Sequence, residues 1–203
     1  MSESGTINHS RIASWGSLLL IVLILGGCTT SNSHFGLNAD PYVRIITRPD
    51  TKNLWAGSVG IFNFNLCNSR LPDKLGGELA QFTYRHLLRH QFATLVELAG
   101  RHASSIEEAV DLATQKGYQL ILLGDLADFF YGGQIANSRV SMSLKVIDVR
   151  TGITIWYISG RIEAPYEESA DYLFFVKEGK DAPSPRLLSA VVLEKLLDVL
   201  IGG

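Results

Sequence analysis

What this chain lacks narrows its function first. It has no cluster of Lys or Arg and a net charge of only −2, so it carries no electrostatic footprint for nucleic acid. It has no run of about 20 apolar residues, the length a membrane-spanning helix needs. Its apolar run from Trp15 to Leu25 is shorter and ends in two glycines and polar residues. Catalytic signatures are missing too. Ser69, Ser141 and Ser143 have no G-x-S-x-G context. Gly57-Ser58-Val59-Gly60 is not followed by the Gly-Lys-Ser/Thr of a phosphate loop. No period marks internal repeats. Cysteine is scarce, with only Cys28 and Cys67. What remains is ordinary globular material: 46% hydrophobic and 19% charged residues, enough for one domain with a sizeable core.

The stretch Leu25-Gly26-Gly27-Cys28 organises the N-terminus. A signal peptide joins an apolar segment of about 7–15 residues to small residues at a cleavage site. Leu18 to Leu25 supplies the first and Gly26-Gly27 the second, behind a segment holding Arg11, His9 and Glu3. No polar face makes the run an amphipathic core helix. Leu-Gly-Gly-Cys resembles the lipobox of bacterial lipoproteins. That resemblance implies cleavage between Gly27 and Cys28, a diacylglycerol thioether on the Cys28 sulfur and acylation of the new N-terminus. Cys67 is then left alone and an intramolecular disulfide is excluded. Thr29 stands where an Asp would retain such a protein in the inner membrane, so the resemblance implies the outer membrane, with the domain facing the periplasm. Residues 1–27 are thus expected to be the leader, 28–53 a lipidated tether and arm, and 54–203 the periplasmic domain.

The tether is polar and small as far as Asn38. Tyr42 to Thr47 is β-prone and reads as an edge strand or an arm. Ser58 to Phe64 reads as a buried first strand. A helix opens near Pro72, with Leu71, Leu75, Leu79, Phe82 and His86 on one stripe. Phe92–Leu98 is a second strand candidate. Ser104 or Ser105 caps the next helix, with Glu107 three residues after Ser104 in capping-box form, and Gly117 ends it. A third strand from Tyr118 passes Gly124, where a bend or a close backbone contact is expected, and runs on towards Tyr131. Val140, Met142, Leu144 and Val146 then alternate with polar residues. They lead through the Asp148–Gly152 turn into a second alternating strand from Ile153 to Ser159. Residues 166–185 suggest a short helix or ordered excursion and then a loop. A final apolar helix opens at Ser184 or Pro185.

Candidate chemistry is thin. His86 and His90 share one helix face at i, i+4, but no Glu follows His86 and no third ligand is placed, so no metal site and no cofactor are expected. Asp125 and Asp128 read as residues at a strand end rather than an acid–base pair. The aromatics say more. Phe129, Phe130 and Tyr131 are consecutive on a strand, so at least one ring faces away from the core. Trp156 alternates with Ile155 and Tyr157, which puts large groups on both faces of its strand. Either both faces are covered or one meets a partner, with these four aromatics as the candidate interface.

Val59-Gly60-Ile61-Phe62-Asn63-Phe64, the Ala113–Gly124 helix-to-strand junction and the hairpin Leu144–Gly152 followed by Trp156 together carry a family resemblance over about residues 54–200. The chain resembles the periplasmic lipoproteins grouped with CsgG of curli secretion, PelC of polysaccharide export, the synthase activator LpoB and the N-terminal domain of TolB. The fold so implied is α/β: one domain, a mixed sheet of four or five strands, helices mainly on one face and a C-terminal antiparallel hairpin. The function implied is non-enzymatic: a lipid-anchored assembly or export accessory, ring-forming through its own copies or working with envelope partners. The alternative is an activator docking on a cell-wall synthase, against which the short tether counts. No alternating pair of about ten-residue lipid-facing strands is present, so a membrane pore is not expected.

Overall fold

The computed structural model describes residues 37, 39–49, 57–66, 71–72 and 74–202. The leader, Gly27, Cys28, most of the tether, Cys67 and Ser69 lie outside the described residues. No helix among the described residues is long and apolar enough to cross a membrane.

The chain folds as a mixed α/β structure on one seven-stranded sheet. Its parallel half is β2 (Ser58–Ile61), β3 (Asn65–Leu66), β4 (Leu95–Leu98) and the start of β5 (Leu120–Phe130). Both β4 and β5 run parallel to β2, one on each side of it. Parallel neighbours need crossovers. These are α1 (Lys74–Arg89) and α2 (Ile106–Lys116). The first crossover steps one way across the sheet and the second steps back past β2. Two steps of the same hand in opposite directions put their helices on opposite faces. Accordingly α1 packs into the larger core cluster, while α2 buries Ala109 and Ala113 against Ile121, Leu123 and Ile147 on the other side.

The antiparallel half follows. β5, β6 (Ser138–Asp148) and β7 (Thr154–Ala164) form a meander, and β1 (Tyr42–Thr47) adds itself to β7 as an edge strand. The strand order is β1-β7-β6-β5-β2-β4, with β3 beside β5. β1 and the two-residue β3 take the sheet beyond the four or five strands that periodicity marks. The Asp148–Gly152 turn is tied by its own polar groups: Asp148 Oδ1 accepts from Thr151 N at 2.8 Å and from Thr151 Oγ1 at 2.9 Å. Gly152 takes a φ of 69° there.

The last helix, α3 (Pro185–Gly202), covers the meander. Leu188, Val192, Leu193, Leu196, Leu197 and Leu200 are fully buried. They meet Val140, Met142, Leu144, Val146, Trp156, Ile158 and Ile162 of the sheet and the buried stripe of α1. The seat depends on Gly160. A Cβ there would stand 2.9 Å from Val192 Cγ1 and 3.1 Å from the Leu196 side chain. Gly124 does the same for Phe64, whose ring would lie 2.3 Å from an added Cβ, which is the close approach expected at that glycine.

Two local expectations shift. The cap of α2 is Ser105, whose Oγ accepts from Glu108 N at 3.2 Å; Glu108, not Glu107, reaches back to the Ser104 N–H at 2.8 Å. Glu108 thus takes the place expected of Glu107, but it accepts from the N–H before the cap and not from that of Ser105 itself. The 166–185 region contains no helix before Pro185. It forms a separate hairpin, β8 (Ala170–Tyr172) and β9 (Phe175–Lys177), extended by a bridge between Glu167 and Lys180.

Tyr118 joins the parallel half together. Its ring is buried at the end of α2, and its hydroxyl donates to Glu97 Oε2 of β4 at 2.9 Å. Burial first, then that hydrogen bond and the Glu97 charge, push its pKa up from 10.0 to about 12. A raised folded-state pKa stabilises the fold fully below about pH 10, and the contribution is lost as pH rises through about 12. Denaturation midpoints measured from pH 9 to 12 should therefore fall for the parent, and Tyr118→Phe should remove the part of that fall due to this hydroxyl.

Candidate functional site

The two faces of the meander differ in kind. One is the core beneath α3. The other carries Asp125, Ser141, Ser143, Lys145, Tyr157, Ser159, Arg161 and Glu163, none of them fully buried. The register aligns them in rungs: Asp125, Ser143, Ser159 and Arg44 on one, Asp128, Ser141, Arg161 and Tyr42 on the next. Cations lie over rings along this face. Lys145 Nζ is 5.2 Å from the Tyr157 ring centre, Arg161 is 5.4 Å from Tyr42 and Arg139 is 4.6 Å from Phe130. A groove of about 650 Å³ opens between Asp40, Tyr42, Asp128, Arg139, Arg161 and Glu163.

The two acids are engaged in separate ion pairs. Asp125 accepts from Asn65 Nδ2 at 2.9 Å and sits 3.1 Å from Lys145 Nζ. Asp128 pairs with Arg139 Nε at 2.7 Å. Each is held by its own cation across the strands. Such cross-strand pairs tie neighbouring strands together.

The expected aromatic interface divides. In β5, Leu126 pairs with Met142 but Asp128 pairs with Ser141, so Ala127 is an extra residue. That bulge inverts the alternation beyond it. Phe129 therefore turns to the core side and packs against it, while Phe130 turns to the open face, 38% exposed. Tyr131 is 52% exposed, and its hydroxyl donates to Asp181 at 3.2 Å. Trp156 is only 1% exposed. The β7 register points it beneath α3 with Ile158 and Ile162, so its ring belongs to the core and not to an open surface. Its neighbour Tyr157 holds the outward position.

A second surface escaped the aromatic reading. The β8–β9 hairpin ends in Leu173 and Phe174, 97% and 96% exposed, between Tyr172 and Phe175 rings stacked at 4.6 Å. Two-residue hairpin turns favour Asn, Asp and Gly. Apolar residues at such a tip serve contact rather than turn geometry. Tyr172–Val176 stands out as an apolar patch in the sequence, but its display on a hairpin was not legible there.

Between α1 and α3 lies a third feature. The α1 stripe carries His86 inward to 5% exposure, not onto a solvated face. Its ring is 4.7 Å from that of His90, and its Nε2 is 3.3 Å from Asp198 Oδ1 of α3 without hydrogen-bond alignment. Burial is the main cause holding its pKa below 6.5. Asp198 and Glu194 act the other way, and His90 and Arg89 add to the lowering.

A mixed sheet with one helix on one face, two on the other and an antiparallel meander closing it is the α/β fold that the sequence resemblance implies. The subunit of PelC from Paraburkholderia phytofirmans, solved as a dodecamer, has this fold: at 15% identity it aligns over 79% of this chain and 97% of its own, with a TM-score of 0.54. A single-site variant of that dodecamer gives 17% identity, 77% and 95% coverage and the same TM-score of 0.54. The C-terminal domain of LpoB from Salmonella enterica aligns over 55% of this chain and 86% of its own, at 16% identity and a TM-score of 0.34, which carries no weight for the fold. No protein-family model and no curated protein matches the sequence.

The placement of the aromatics is testable by urea denaturation. Trp156→Ala should cost about 3–5 kcal/mol, the range for emptying a buried aromatic position. Phe130→Ala should stay within about 1 kcal/mol, as surface changes do.

Proposed function

We propose that this chain is a lipid-anchored accessory protein of a bacterial envelope. Acyl chains on Cys28 hold it at the periplasmic face of the outer membrane. It forms a ring of its own copies there and supports export of a surface polysaccharide or protein without catalysing a reaction. Several acyl chains give a stable anchor where a single chain is marginal.

The observation that carries this reading is the match to PelC, whose chain is covered almost end to end and whose crystals hold dodecamers. Surface chemistry supports it. Among the described residues the sheet ends in two edge strands without a further strand beside them, β1 with Tyr42, Ile45 and Ile46 exposed and β4 with Leu95 exposed. Bare edges with apolar side chains invite pairing with another chain. The polar open face and the apolar hairpin offer further contacts.

Size-exclusion chromatography with light scattering on the chain from residue 29 onward should give one large, defined oligomer. A monomer at all concentrations would overturn the ring. The same monomer retaining a cell-wall synthase would favour the activator instead. In cells, Cys28→Ala should leave the outer-membrane fraction and remain soluble or unprocessed. If that variant fractionates like the parent, lipid is not the anchor.

A further inference from the structure

We propose that His86, His90 and Asp198 form a zinc site that joins the C-terminal ends of α1 and α3. The three side chains each offer one donor atom, and these atoms all lie within 4.8 Å of one another. A tetrahedral zinc centre with bonds of about 2.0 Å has edges of about 3.3 Å. His86 Nε2 and Asp198 Oδ1 are already 3.3 Å apart. His90, exposed just past the end of α1, has the freedom to close the two edges that remain.

The buried histidine is the independent sign. His86 Nε2 has no hydrogen-bond partner among the described residues and lies 3.3 Å from the Asp198 carboxylate, inside the three-donor cluster. A buried polar atom left unpaired costs about 1–3 kcal/mol. A bound cation satisfies it outright and also neutralises the Asp198 carboxylate beside it. Helix polarity acts in the same direction. His86 lies in the last turn of α1 and His90 one residue past it, and Asp198 lies one turn from the end of α3. The negative ends of two helix dipoles therefore face the cation.

Two imidazoles and one carboxylate suit a borderline divalent ion such as Zn²⁺ and not Ca²⁺ or Mg²⁺, which take oxygen ligands. The fourth position opens to solvent on the exposed side of Asp198 and His90. Glu194, one turn before Asp198 on α3, is near enough for its charge to act on His86. The ion would clamp the helix that follows β3 to the helix that closes the core.

The test uses the full chain, purified in detergent without chelators, and Zn²⁺ alone as the probe. Competition against a chromophoric zinc chelator should show one tight ion per chain. His90→Ala and Asp198→Asn change exposed residues and should leave the circular dichroism spectrum unaltered. Each should weaken binding by roughly 100-fold or more, beyond the roughly 10–100-fold that loss of an outer-shell partner costs. Added Zn²⁺ should raise the melting temperature of the parent and not of the variants. A parent that takes up no zinc overturns the site. So does zinc uptake that survives both substitutions, which would place it on other histidines.

Discussion

The seating of α3 on the meander is the constraint from which most of this architecture follows. The helix puts six fully buried aliphatic side chains against β5, β6 and β7. Burying each such side chain stabilises the fold by about 1.5–3 kcal/mol. Contact that close requires a flat place in the sheet, and Gly160 provides it. With that face committed to core, the period of two sorts the residues of β7 from Trp156 onward. Trp156, Ile158 and Ile162 go beneath the helix. Tyr157, Ser159 and Arg161 go to the open side. The uncovered face is therefore not an accident of a missing element. It follows from α2 covering only the part of the far side near β2, while α1 and α3 share the near side.

Parity alone is not enough, because two bulges within the meander reset it. Ala127 inverts β5 beyond Leu126, and the register of β7 slips between Trp156 and Thr154, opposite Val146 and Ile147. In the first case Phe129 and Phe130 exchange faces. In the second Ile155 stays half-buried against the same cluster as Trp156. This explains why the pattern of large residues on both faces of β7 is legible in the sequence while its resolution is not. A bulge adds a residue without a compositional mark strong enough to find in one chain. The aromatic triplet announces that one ring must face outward. Only pairing with Met142 and Ser141 decides that it is Phe130.

Helices, the main hairpin and the turn at Asp148–Gly152 were legible for a common reason: each is specified by residues close in sequence. The apolar stripe of α1, the Gly117 stop of α2 and the alternation of β6 need no distant partner. The 166–185 excursion failed that test. Its strands are three residues each and pair only with one another, held at the base by Lys177 and Lys180, each 3.6 Å from Glu167. The candidate site was least legible of all. His86 and His90 are visible as a pair, but Asp198 belongs to another helix far along the chain, and only the packing of α1 on α3 joins them. A polar residue on an otherwise apolar stripe was the available signal, since His86 continues the line of Leu75 and Leu79 into the core.

These features share a thermodynamic logic. Among the described residues, a lone copy of this domain shows Leu173 and Phe174 to solvent, ends its sheet in two edge strands and buries the His86 Nε2 without a hydrogen-bond partner. Each is a cost that folding alone does not recover. None is needed for the core, which closes with α3 in place whether or not the hairpin is covered. Contiguous apolar surface of this kind marks contact sites in soluble domains. Neighbouring copies or a bilayer would cover the hairpin and edges, and a cation would satisfy His86. The proposed association and the proposed ion binding would thus act on different parts of the molecule. The first concerns the sheet edges and the β8–β9 tip. The second concerns the junction of α1 and α3, where an ion would stiffen the helices that hold the sheet's core face without touching its open one.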